Sequence, residues 1–207
     1  MQIIPAIVSH FHYPHSYHAS SSSSSNIAQI GDGSGPVQVA IKWARGRESI
    51  RTLEQEYEVY EETLKPLQGS VVPICYGLFA GRVEGEYVAC LVLEWCGGVR
   101  KVDDIELIRQ KMVGAVKLHK AGIQHNGLFK PQHYLFTTST NQLRIIDFSQ
   151  ATSHVCPGSM PRIRNLSNGL PPDGCGELDA LEALFTDGVV LDEEEEGRES
   201  VWDCFAQ

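Results

Sequence analysis

Ile123-Gln124-His125-Asn126-Gly127-Leu128-Phe129, followed by Arg144-Ile145-Ile146-Asp147-Phe148-Ser149, is the stretch on which the reading of the fold turns. Just before it, residues 102–121 carry Ile105, Ile108, Met112, Ala115, Val116 and His119 at helical spacing. Gly122 stops that helix. A turn bearing His125 comes next, and the mainly apolar run 143–146 ends on Asp147. A loop that follows a buried helix stands on a rigid base, which is what a functional loop requires.

Upstream, Val37-Gln38-Val39-Ala40-Ile41-Lys42-Trp43 alternates as a strand does. It puts Val37, Val39 and Ile41 on one face and Lys42 on the other. Residues 49–67 place Leu53, Tyr57, Tyr60, Leu64 and Leu67 at helical spacing, ended by Pro66 and Gly69. Residues 71–79 and 87–94 read as two strands joined by a Gly-rich turn, followed by Glu94-Trp95-Cys96-Gly97-Gly98. The pattern is that of an α+β domain.

Taken in order, Val39-Ala40-Ile41-Lys42, the acidic helix, Glu94-Trp95-Cys96-Gly97-Gly98, the His125 loop and Asp147-Phe148-Ser149 resemble the protein kinase-like superfamily. The likeness spans residues 37–156 and is nearest to the short, degenerate kinase-like proteins of filamentous fungi. It implies a small-lobe antiparallel sheet with one helix, a hinge and a reduced helical second lobe. The expected boundaries are a His/Ser-rich segment at 1–35, a first lobe at 36–96, a partial second lobe at 97–160 and an irregular, acidic tail at 161–207. By the same resemblance Lys42 would hold nucleotide phosphates, and Glu56 would pair with it, with Glu54 the alternative. Leu93 would be the gatekeeper, and backbone groups near Glu94 and Cys96 would meet an adenine edge. Asp147 would be the metal ligand. ATP, with weakly held Mg²⁺, is the implied cofactor.

Phosphoryl transfer needs phosphates held, their charge neutralised by metal, and an acceptor hydroxyl positioned by a carboxylate. Where the family places that carboxylate, two residues after His125, this chain has Gly127. The second metal ligand aligns with Gln132, or with His133 if one residue is inserted; His133 is the better match because the apolar run Tyr134-Leu135-Phe136 follows it, and neither suits a hard cation. The glycine of Asp-Phe-Gly is Ser149. Gly31-Asp32-Gly33-Ser34-Gly35-Pro36 puts proline where a phosphate-cradling loop needs glycine, so a turn into the strand is expected there. His125 is expected to anchor the loop beneath Asp147. With 60 residues following Asp147, an ordinary substrate lobe is not expected.

Composition narrows the classes further. The 207 residues are 42% hydrophobic and 21% charged, enough for a packed core. The net charge of −9 argues against nucleic acid or an anionic membrane as the main partner. No stretch approaches a membrane span and no secretory leader is apparent, so a cytoplasmic or nuclear place is expected. The tract with His10, His12, His15 and His18 leads into serines 20–25 and reads as a flexible tail. Six cysteines lack any Cys-x-x-Cys pair. His154, Cys156 and Cys175 hint at zinc, but their spacing fits no standard finger, and buried free thiols are the expectation. A helix over 176–185 is expected, with the acidic run from Asp192 as solvated tail. The function these observations favour is a pseudokinase, a binding or regulatory module with a protein partner and weak or absent phosphotransfer. The competing readings are a divergent ATP-dependent kinase using His133 as base, and a truncated gene product without independent activity.

Overall fold

The computed structural model describes residues 24–30, 37–83, 85–158 and 174–186. The His10–His18 tract, residues 31–36, Pro161, Pro171, Pro172 and the acidic run from Asp192 lie outside them.

Four antiparallel strands make the larger sheet: β1 (Ser24–Ile30), β2 (Val37–Arg45), β3 (Cys75–Val83) and β4 (Glu86–Glu94), in the order β1-β2-β4-β3. The sheet thus reaches back into the segment expected to be an unstructured lead-in. β1 pairs along its whole length with β2, Ile30 against Val37 and Ser24 against Trp43. Its serine-rich start conceals the short run Ile27-Ala28-Gln29-Ile30, which a strand can use at an edge.

α1 (Arg47–Glu61) follows β2 directly and packs across the sheet with Ile50, Leu53, Glu56 and Tyr60 inward. It ends six residues before the expected Leu67. A separate 3-10 turn, Lys65–Leu67, carries Pro66, whose missing N–H and steric demand on its neighbour stop the α-helix from running through. Leu64 is still fully buried, which is why the apolar periodicity outlasts the helix. The strand expected from residue 71 begins only at Cys75. Val71 and Val72 are buried in the loop before it, where the Val71 carbonyl accepts from the Ile145 amide at 2.9 Å.

The second half is built on α2 (Asp104–Lys120), capped by the Asp103 carboxylate, which accepts from the Glu106 amide at 2.8 Å. Met112, Ala115, Val116 and Leu118 enter the common core. Gly114 lets α2 approach closely, since a Cβ there would lie 2.9 Å from Ile145 Cδ1. Four short strands frame the loops beyond: β5 (Ile123–Gln124), β6 (Tyr134–Phe136), β7 (Leu143–Ile145) and β8 (Thr152–Ser153). β5 pairs with β8, and β6 pairs with β7. α3 (Gly176–Thr186) returns against α2 and buries Leu178 and Leu181. The architecture is α+β, with small antiparallel sheets and three helices among the described residues. None of these helices is long and apolar enough to cross a membrane.

Candidate functional site

Strand alternation decides where Lys42 points. Val39 and Ile41 pack with Val92 on the outer face of the sheet, and Lys42 lies on the opposite face, under α1. An isolated lysine there would reach for water, but α1 brings a carboxylate to it. Lys42 Nζ is 2.7 Å from Glu56 Oε2 and 2.9 Å from Asp147 Oδ1. Glu56 is the partner because it is buried on the inner face of α1, whereas Glu54 is exposed. Glu56 Oε1 also accepts from the Phe148 amide at 3.3 Å, so one glutamate ties the β2 lysine to the loop carrying Asp147.

The electrostatics follow from burial set against pairing. Burial pushes the Lys42 ammonium down, but Glu56 and Asp147 outweigh it and hold its pKa above the ordinary value. Burial dominates at Glu56 and raises its carboxyl despite the adjacent ammonium. At Asp147 burial pushes up, while the Lys42 charge and hydrogen bond, together with the Ser149 hydroxyl, bring it down to about 2. Asp147 is therefore a carboxylate at any physiological pH. Its backbone sits in the left-handed region at φ 67°, a conformation non-glycine residues rarely adopt and one that fixed surroundings must hold.

Those surroundings are a ring stack. Phe148 is buried edge-on against Tyr60 of α1 (centroids 5.4 Å) and tilted against His125 (4.8 Å). His125 Nε2 donates to the Ile146 carbonyl at 3.0 Å, so this histidine anchors the loop beneath Asp147. The turn is held from below by Glu177 of α3, which accepts from the His125 amide at 3.0 Å and the Asn126 amide at 2.7 Å. Asn126 takes a left-handed φ of 61° and donates its side-chain amide to the Gln150 carbonyl. Glu177 is missing from the sequence reading, since nothing near it in sequence announces a contact 52 residues away.

His133 and Gln132 separate cleanly. The 3-10 turn Pro131–His133 sends Gln132 outward and His133 inward, its Nε2 3.5 Å from Asp147 Oδ2. The His133 and His125 rings lie 5.3 Å apart and close over Gly127. A Cβ at 127 would lie 2.8 Å from two His133 ring atoms and 3.0 Å from His125 Nδ1. The space that a carboxylate would need is filled by imidazole.

Burial lowers the pKa of both histidines, partly offset at His133 by Asp147. The unfolded chain therefore binds more protons than the native one below about pH 6.5, and stability contributed by the neutral rings is lost as pH falls through that range. The melting temperature is expected to drop between pH 7 and 5, and His133→Gln to flatten that drop. Equal slopes in calorimetric melts of the two proteins would contradict this.

At the turn between the two halves Leu93 is buried opposite Ala40 and Cys75. The Glu94 amide donates to the Ile74 carbonyl at 2.8 Å, and the Cys96 thiol rests 3.7 Å from the Glu94 carbonyl. The Glu94 side chain instead receives Arg144 Nε at 3.2 Å. Arg144 is buried, and it also donates to the carbonyls of Gly69 (2.6 Å) and Ser70 (2.9 Å), which clamps β7 to the sheet half. Gly98 is a packing requirement: its amide donates to the Phe136 carbonyl at 2.8 Å, and a Cβ would collide with the Thr137 carbonyl.

No protein-family model and no curated protein matches this sequence. The Lys42 ammonium, the buried Glu56 carboxyl and the ionised Asp147 meet at the junction of sheet and loops, with Lys42 paired to both acidic groups. A Mg²⁺ ion fits the residues poorly. Asp147 Oδ1 is already engaged by Lys42 and by the Ser149 hydroxyl at 2.8 Å, and the neighbouring donor is an imidazole that prefers softer metals.

Proposed function

We propose that the chain is a kinase-like pseudokinase: it keeps the fold and the phosphate-facing lysine of the protein kinase-like superfamily, lacks effective phosphotransfer, and acts through a protein partner. One observation carries the reading. Glu56 and Asp147 each lie within 2.9 Å of Lys42 Nζ, while the position that would orient an acceptor hydroxyl is a glycine roofed by two histidines. Lys42 would hold a nucleotide phosphate by charge, Glu56 would keep the ammonium aimed, and the His125 loop would serve as a brace. No step is routed through Mg²⁺, because the donor set suits it badly.

ATP added to the full chain should raise the melting temperature, by about 1.4 kcal/mol of stabilisation at ten times its dissociation constant. In the wild type this shift should not require Mg²⁺. Ser149→Gly frees Asp147 Oδ1 from one hydrogen bond and should strengthen Mg²⁺-dependent binding about fivefold, the worth of roughly 1 kcal/mol. No shift in a cooperatively melting protein would remove the nucleotide and leave a scaffold. A shift wholly dependent on Mg²⁺ would show that Asp147 still works as a metal ligand.

The rival reading, a divergent kinase, has one observation in its favour. Neutral His133 points at Asp147 and could take a proton from an acceptor hydroxyl. Turnover measurements separate the two.

A further inference from the structure

A second cluster of side chains lies on the far side of the His125 loop, and the nucleotide reading does not use it. His119 comes from the last turn of α2, His154 and Cys156 follow β8, and Cys175 immediately precedes α3. One donor atom from each of the four residues lies within 4.8 Å of the other three. Cys175 Sγ is 3.3 Å from His119 Nδ1 and 3.4 Å from His154 Nε2, and the two imidazoles meet edge-on with centroids 5.0 Å apart. A tetrahedral zinc with ordinary Zn–S and Zn–N bonds separates sulfur from nitrogen by about 3.5 Å, so both measured edges are close to those of a coordination shell.

We propose that His119, His154, Cys156 and Cys175 form a closed Cys₂His₂ site for Zn²⁺. Two thiolates and two imidazoles are a borderline-soft donor set that suits zinc and rejects Mg²⁺ and Ca²⁺. As the ion binds, two thiol protons leave to solvent, and Cys156 gives up its present hydrogen bond to the Gly158 carbonyl. The outer shell is already in place. With Nδ1 facing the cluster, His119 turns Nε2 to Glu177 Oε2 at 2.9 Å, the carboxylate partner that fixes a ligating imidazole. Backbone bonds seat two of the donors: the His154 amide donates to the Gly122 carbonyl and the Asp179 amide to the Cys175 carbonyl, both at 2.8 Å.

Four protein donors leave no open position, so the ion is structural. Its effect reaches the candidate site through Glu177, which orients His119 and also holds the His125 and Asn126 amides. The metal fastens α3 to the end of α2 and thereby braces the loop under Asp147. The described cysteines are free and buried or half-buried, as expected; His119, which joins two of them here, lies 35 positions before His154 and reads in sequence as an ordinary helix residue.

The test uses the full chain purified under reducing conditions without added metal, with its zinc measured by elemental mass spectrometry. Wild type should carry one zinc per chain, and so should a variant with His10, His12, His15 and His18 all changed to Ala. Cys175→Ser and the half-exposed His154→Ala should lose it. Glu177→Gln should bind zinc about 10–100-fold more weakly. Cobalt substitution should give tetrahedral d–d bands and a thiolate charge-transfer band that halves in Cys156→Ser, a readout independent of folding yield in the other variants. Stripping the metal should speed amide exchange at His125 and Asn126. The proposal is overturned by a chain with no zinc, by zinc retained in Cys175→Ser but lost with the N-terminal histidines, or by a Cys156–Cys175 disulfide in the reduced preparation.

Discussion

Lys42→Met lowers the folding free energy by about 3 kcal/mol, as expected when one partner of a buried ion pair is removed and the other charge is stranded. The stranded group is Glu56, whose side chain is 1% exposed and whose carboxyl burial already pushes upward. At about 2–4 °C per kcal/mol for a chain of this size, the melting temperature should fall by roughly 6–12 °C. Adding Glu56→Gln should recover more than half of the loss, because a neutral amide does not need the ammonium. Sign and pH follow from the same logic. In Lys42→Met the Glu56 carboxyl is raised further in the folded state, so the variant should gain stability relative to wild type as pH falls and Glu56 takes up a proton. Chemical denaturation of wild type, single and double variants measures all of this. Equal stability of Lys42→Met and wild type would mean that the Lys42–Glu56 pair does not form. The result also bears on practice: a Lys42→Met protein that fails to bind nucleotide is interpretable only beside the double variant.

Gly127→Asp alone does not create a phosphotransferase. Gly127 is not among the left-handed glycines, so backbone strain is not the obstacle. The obstacle is space: an added side chain meets the His133 and His125 rings at 2.8–3.0 Å. Forcing it in should cost about 1–3 kcal/mol and leave turnover unchanged. Removing the obstruction and supplying an oxygen donor together should change that. Gly127→Asp combined with His133→Asn opens the pocket, and its turnover should rise by about a hundredfold or more over the wild type, the scale of a recovered general base. Restoration by Gly127→Asp alone would show that the imidazole roof is not a barrier. No gain in the double variant would place the defect elsewhere, with Ser149 the next suspect.

The parts of this molecule that were readable in sequence are those whose signal is local. Alternation placed Lys42 opposite Val39 and Ile41, periodicity drew α2, and Gly122 marked its end at φ 88°. The family resemblance favours Glu56 over Glu54 and His133 over Gln132, and the inward face of α1 and the Pro131–His133 turn bring those two residues to Lys42 and Asp147. Arg144, Glu177 and His119 were silent because they work through partners distant in sequence: Glu94, His125 and Glu177, at separations of 50, 52 and 58 residues. β1 was hidden by composition: serines 20–25 mask a short strand that is defined by its pairing with β2.

Single-turnover phosphotransfer from γ-labelled ATP with Mg²⁺, comparing wild type with Asp147→Asn, is the most direct test of a pseudokinase. A pseudokinase with a saturated Asp147 and no carboxylate at 127 should give the same background rate in both proteins. A robust Mg²⁺-dependent rate in wild type that Asp147→Asn abolishes would contradict it and make the chain an active kinase, with His133 the first residue to test as its base.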